Sequence, residues 1–369
     1  MPASLWTDSF LDEMRETADP PADRAIRAVF EVGDLAAVQG VLNTLTRDND
    51  IVPGNLPAPV REYLEGLPSI PEPERPLIIE GQELFTEHGP EILMILGCYS
   101  LPAAYAARKG VQVLYRTGYL QQRTNMRLFQ TSQMVIDVMT PGGLGPKGQG
   151  RITAQKVRLM HAAIRHLLQS DPANPWPAEF GVPINQEDLA GTLMTFTHVI
   201  RDGLNKLGVS SWPPGYLNAW QAIGRILGIV PELIPATPDE ATELCAIIDR
   251  RQISPSPEGR ALTSALLQML EHYSPPGFKR MPAALMRHFL PGNVADGLGV
   301  PVHRLDEELV NLGAGVERLL ERIGPHHPRL VFRAFGTHVV EMLIKAEVGP
   351  RPEFRIPTEL HDSWQLSKA

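Results

Sequence analysis

The sequence predicts an all-α protein. Apolar residues recur at intervals of three and four along most of the chain, and no long alternating run of β-branched residues competes with that period. The 35 prolines fall mostly between the periodic segments, where they stop helices without kinking them. A hydrophobic content of 43% and a charged content of 21% over 369 residues suit a globular chain with a sizeable core.

In chain order the spacing predicts helices over 7–17, 21–32, 34–47, 57–66, 76–87, 89–106, 119–139, 153–169, 186–207, 214–229, 238–251, 257–272, 281–290, 303–322 and 327–346. Residues 51–59 and 68–76 read as proline-rich connections. PGGLGPKGQG at 141–150 joins two strong helices; it lacks the spacing of a nucleotide loop and follows a helix, so it reads as a linker. Asn185 is the expected N-cap of the next helix, with Asp188 three positions on as in a capping box. The expected organisation is an acidic helical extension (1–75), a core (76–300) and C-terminal helices with a tail (301–369), packed as one unit.

Charge is unevenly spread. Residues 1–90 hold 17 Asp and Glu against 6 Lys and Arg, whereas residues 91–170 hold 10 basic residues and two acids, Glu91 and Asp137. Several of the arginines lie on or beside apolar helical faces. This argues against nucleic acid as a partner and for a small acidic ligand, or for internal pairing with the acidic N-terminal part. Cys98 and Cys245 lie far apart in apolar stretches and form no C-x-x-C pair, which excludes a zinc ribbon, a dithiol redox site and covalent haem attachment. The apolar run Ile92 to Ala107 is 16 residues long and interrupted, short of the roughly 20 that span a bilayer, and reads as a core helix. Acids from Asp8 to Asp23 with no apolar stretch among them point to a cytoplasmic protein.

The chemistry concentrates on one helix. Thr153 is the expected cap; Val157, Met160, Ile164 and Leu168 form an apolar stripe with His161 at its edge. Arg158 and Arg165 flank His161 one turn away on either side, and His166 is expected to face solvent. A buried guanidinium keeps its charge, so both arginines need anions. Two cationic neighbours would hold His161 neutral, the state that ligates a metal. A haem would supply iron for the histidine, apolar surface for the stripe and propionates for the arginines. A core histidine with arginines meeting acids from another helix accounts for the same pattern. On the preceding helix Arg127, Thr131, Met134 and Val138 share a face.

Arg127-x-x-x-Thr131, followed thirty residues later by His161 within Arg158-x-x-His161-x-x-x-Arg165, resembles the MpaB/latex-clearing-protein family of b-type haem oxygenases, over roughly residues 80–300 and including GVPINQEDL at 181–189. The resemblance implies a globin-like helical core with added helices, non-covalent haem b, and His161 as the iron ligand. It implies that Arg158 and Arg165 fix that helix or the propionates, and that Arg127 and Thr131 shape the haem pocket; Gln130 and Thr131 are candidate distal hydrogen-bond donors. It further implies oxidative cleavage of carbon–carbon double bonds by dioxygen, and the expected substrate is small and apolar, unsaturated or isoprenoid-like; an electron donor is a further candidate partner. Two positions depart from the rubber oxygenases. Gln130 stands where they carry lysine, and Val111 where, ungapped, they carry a glutamate proposed as base. The departures leave as rivals a non-enzymatic haem carrier or sensor, a haem-free helical interaction protein and a peroxidase-like activity.

Overall fold

The computed structural model describes residues 5–303, apart from 33–34, 46–49, 51, 53, 55, 67, 69, 118–121, 210–211 and 275–277, together with 336–337. The side chains of 32, 35–37, 41, 44, 73 and 122–130 also lie outside the described set. The predicted helices at 303–322 and 327–346, apart from 303 and 336–337, and the C-terminal tail therefore lie outside the described residues, as do the side chains of Arg127 and Gln130.

Among the described residues the chain is all helix and turn, with no strand and a single isolated bridge between Ala107 and Ile253. The helices run from Asp8–Arg15 to Gly292–Gly297 in the predicted order. Cap chemistry places several starts. The Thr7, Asn185, Thr237 and Ser256 side chains each accept a hydrogen bond from an N–H of the first turn, which satisfies donors left over at a helix start.

Four differences from the sequence reading have physical causes. The helix predicted from 153 begins at Gly150, and Thr153 is not its cap; its hydroxyl donates to Asp137 Oδ2 at 2.7 Å. The single helix expected over 186–207 breaks at Thr197 (φ −107°, ψ −81°), whose hydroxyl turns back to the Leu193 carbonyl at 3.0 Å. The segments expected at 76–87 and 89–106 are one helix, Arg75–Ile95, kinked at His88 before Pro90. It continues through a π turn at Leu96–Ser100 into Leu101–Ala106. Short helices at Val111–Arg116 and Gly292–Gly297 fall below the length that periodicity reveals.

The main core draws on nearly the whole described chain, from Trp6 and Leu11 to Leu298 and Val300. A second cluster joins Ala22, Ala25, Ile26 and Val29 to Ile152, Leu159, Ala162 and Ala163. The helix Gly150–Gln169 is therefore covered on the face opposite its apolar stripe by Pro20–Val32. That corrects the expectation for His166, which stacks on Phe30 with ring centroids 4.8 Å apart. Alanines supply much of this second face, and their small side chains do not register as a stripe.

Arg75–Ile95 packs against Gly215–Ile226 at very close range. A Cβ on Gly81 would meet the Gly215 carbonyl oxygen at 2.4 Å, and one on Gly215 would meet the Leu77 carbonyl oxygen at 2.0 Å. The obstacle in each case is backbone, which has little room to yield. Gly81→Ala is expected to cost about 1–3 kcal/mol by overpacking, read as a fall in the denaturation midpoint; an unchanged midpoint would show that the two helices can move apart freely.

Candidate active site

A cavity of about 380 Å³ lies among the helices and is lined mainly by apolar side chains. Val157, Met160, His161 and Ile164 form one wall, in the order the stripe required, and Thr131 and Met134 of Gln122–Met139 also line it. Two lengths of this helix pair are tied together by Asp137, which accepts from Thr153 at 2.7 Å and from Gln133 Nε2 at 2.6 Å.

His161 is held neutral. Burial first, and the Arg165 charge second, push its pKa down to about 4. Nδ1 is buried without a hydrogen-bond partner, so Nε2 is the nitrogen left toward the cavity. A ligating histidine usually donates its second ring N–H to a carbonyl or carboxylate; among the described residues none is in reach of this one.

The arginines on either side turn away from the cavity. Arg158 makes a two-pronged pair with Asp19, Nε to Oδ2 at 2.5 Å and Nη2 to Oδ1 at 2.6 Å, with exposures of 13% and 4%. It also donates to the Ile226 carbonyl at 3.3 Å and lies over the Tyr63 ring. Arg165 pairs with Asp23 and donates to the Pro183 and Ile184 carbonyls, each at 2.9 Å. Of the two roles expected for these arginines, the geometry supports fixing the helix: neither lines the cavity, and their anions are the acids of the N-terminal part. Gly228 makes room for this arrangement. Its φ is +82°, and a Cβ there would stand 2.4 Å from Arg158 Nε.

The sequence reading missed the cavity's acids. Glu187, 0% exposed, accepts from Arg15 Nη1 (3.1 Å), Arg251 Nε (2.7 Å) and Gln252 Nε2 (3.0 Å). Asp188 accepts from Arg15 Nη1 at 3.0 Å and from Asn185 Nδ2 at 3.0 Å, and burial raises its pKa. Asn185 does cap the helix as predicted, accepting from the Asp188 N–H at 2.9 Å. Glu187 and Asp188 line the cavity, and so does Asp249 on Pro238–Gln252. Asp249 was legible in principle: it follows Cys245 by one turn and sits beside Ile248, an acid on an apolar face.

The model of the family "ER-bound oxygenase mpaB/B'/Rubber oxygenase, catalytic domain" matches residues 88–319, well over half of the chain. This protein belongs to that family. It is an oxygenase. Within the family, the rubber oxygenase of Streptomyces sp. (strain K30) is 28% identical over 300 residues, which is 79% of this chain and 73% of the relative. A solved structure of latex clearing protein LCP in the closed state superposes with a TM-score of 0.77 at 25% identity, covering 93% of this chain and 95% of the other. The oxygenase fold is thus all-α and of the latex-clearing-protein type. Among the described residues no helix is long and apolar enough to cross a membrane.

Two outcomes test this geometry. Arg158→Ala should lower folding stability by about 3–5 kcal/mol because it strands the buried Asp19 carboxylate; a loss below 1 kcal/mol in chemical denaturation would mean that the pair is dispensable. A histidine whose folded pKa lies below its unfolded value takes up more protons when unfolded. Its contribution is therefore retained above pH 6.5 and lost as the pH falls toward 4. The stability difference between the wild type and His161→Gln should change across that window by up to about 1.4 kcal/mol per pH unit, and a flat difference would show His161 to be solvated.

Proposed function

We propose that this oxygenase is a haem b enzyme in which His161 ligates the iron. The observation that carries this reading is a neutral imidazole presenting one nitrogen to a mostly apolar cavity on the wall formed by Val157, Met160 and Ile164. These residues fit a porphyrin at its iron and its faces. The fit at the carboxylates differs from the expectation, because Arg158 and Arg165 are taken by Asp19 and Asp23, and among the described residues no lysine or arginine lines the cavity.

Bound haem would supply the dioxygen chemistry. The chain's own contribution is position and polarity. His161 stays unprotonated across the physiological range, so its lone pair is available to a metal. The Asp19–Arg158 and Asp23–Arg165 pairs hold the helix that carries it against rotation. Met134, Val157, Met160 and Ile164 keep water out, and the Thr131 hydroxyl is a polar handle on the neighbouring wall. By the family resemblance Arg127, on the Thr131 helix, is a further pocket residue, and Gln130, next to Thr131, is a candidate distal hydrogen-bond donor.

The relatives and the walls support a substrate class. The named relative is a rubber oxygenase, and the mainly apolar walls suit a small unsaturated or isoprenoid-like molecule beside the haem. We read residues 76–300 as the oxygenase core, with 1–75 clasping it, acting in the cytoplasm with an electron donor. The test is expression with haem supplementation and comparison of absorption spectra. The wild type should show a Soret band that His161→Ala abolishes or greatly weakens, and the loaded wild type should convert an isoprenoid alkene with dioxygen. An unaltered band in His161→Ala overturns the ligand assignment.

A further inference from the structure

The same cavity has a second chemical character away from His161. Tyr99 of the π turn, His198 and the Pro238–Gln252 pair Cys245 and Asp249 all line it, carried by helices other than the histidine helix. Three of these side chains are already engaged. Tyr99 donates to Asp202 at 2.8 Å, the His198 Nδ1 lies 3.2 Å from the Thr242 hydroxyl, and the Cys245 thiol, raised in pKa by burial, reaches toward Asp249 at 3.8 Å.

Asp249 is the exception. Among the described residues the one side-chain hydrogen bond to its carboxylate is from that thiol, a weak donor. The nearby cations have other partners. Lys206 is bound to Asp202 at 2.7 Å and to the Phe289 carbonyl at 2.8 Å, Arg250 to Asp8 at 3.0 Å, and Arg251 to Glu187, Asp8 and Asp12. The carboxylate is exposed where it lines the cavity. Partial burial, with no cation acting on it, pushes its pKa up to about 6. Glu187, by contrast, is saturated by two arginines and a glutamine, and Asp188 by Arg15 and Asn185.

A pure hydrocarbon lying against this acid would displace its water without replacing the hydrogen bonds. A ligand with a hydrogen-bond donor at one end would meet it. We propose that Asp249 is a specificity residue that anchors the polar head, a hydroxyl or an amine, of an otherwise apolar unsaturated substrate, whose chain then runs through the cavity toward His161. The inference rests on the oxygenase reading for what happens to the chain, but its binding arm stands apart from haem.

Calorimetric titration of the full-length protein with farnesol, farnesylamine and farnesyl methyl ether separates the cases, since the ether has the same chain and no donor. A hydrogen bond to a charged group contributes about 1.5–3 kcal/mol, so the alcohol or the amine should bind roughly tenfold or more tighter than the ether. Asp249→Leu should remove that preference while leaving ether affinity equal or higher, and Asp249→Asn should keep part of the alcohol preference and lose that for the amine. The Soret band of Asp249→Leu, recorded on the same samples, should match the wild type and reports that the variant is folded and loaded. Equal affinity of the wild type for all three probes, or the same preference in wild type and Asp249→Leu, overturns the proposal whatever the spectrum shows. A preference that depends on Asp249 in a protein with no Soret band sustains the head-group site and removes the haem reading instead.

Discussion

The arrangement of the site depends on how two guanidinium groups are neutralised. Arg158 and Arg165 stand on either side of His161 on a helix that is covered on both faces. Neither can lose its proton, and both are largely shielded from water, so each must have an anion nearby. The anions are Asp19 and Asp23, four residues apart at the start of Pro20–Val32. That spacing puts both acids on one side of the entering chain, matched to two arginines seven residues apart on the partner. The rotation of the histidine helix, and with it the direction of His161, follows from this two-point attachment. The residual positive field and the dry surroundings also explain why the imidazole is neutral.

Most of the architecture was legible because helices announce themselves by period and by punctuation. Thr7, Asn185, Thr237 and Ser256 mark starts, and prolines mark many of the stops. The failures share a cause. Thr197 breaks a helix through its own hydroxyl, and the π turn at Leu96–Ser100 keeps an unbroken apolar pattern through an irregular backbone. Neither event alters hydrophobic spacing, which is the signal that was read.

The site was legible by halves. His161, Thr131 and Met134 line one cavity, as the shared faces of two consecutive helices implied. The acidic excess of the first 90 residues and the basic excess of the next 80 signalled internal pairing, yet composition could not say which acid meets which arginine. Glu187 is the hardest case. It sits in a run of polar residues at a helix start, where acids are commonplace, and only the approach of Arg15 and Arg251 from distant segments makes it a buried wall of the cavity.

The region that defines the family starts at residue 88, but the electrical neutrality of its interior is completed from outside. Asp19, Asp23 and Glu74 neutralise Arg158, Arg165 and Arg225, while Arg15 answers Glu187 and Asp188 in return. A fragment cut at residue 88 would leave Arg158, Arg165 and Asp188 without their counter-ions, with Arg251 alone still facing Glu187. The first ninety residues are in this sense the missing half of the oxygenase's own counter-charge, and the unit that folds is larger than the unit by which the family is recognised.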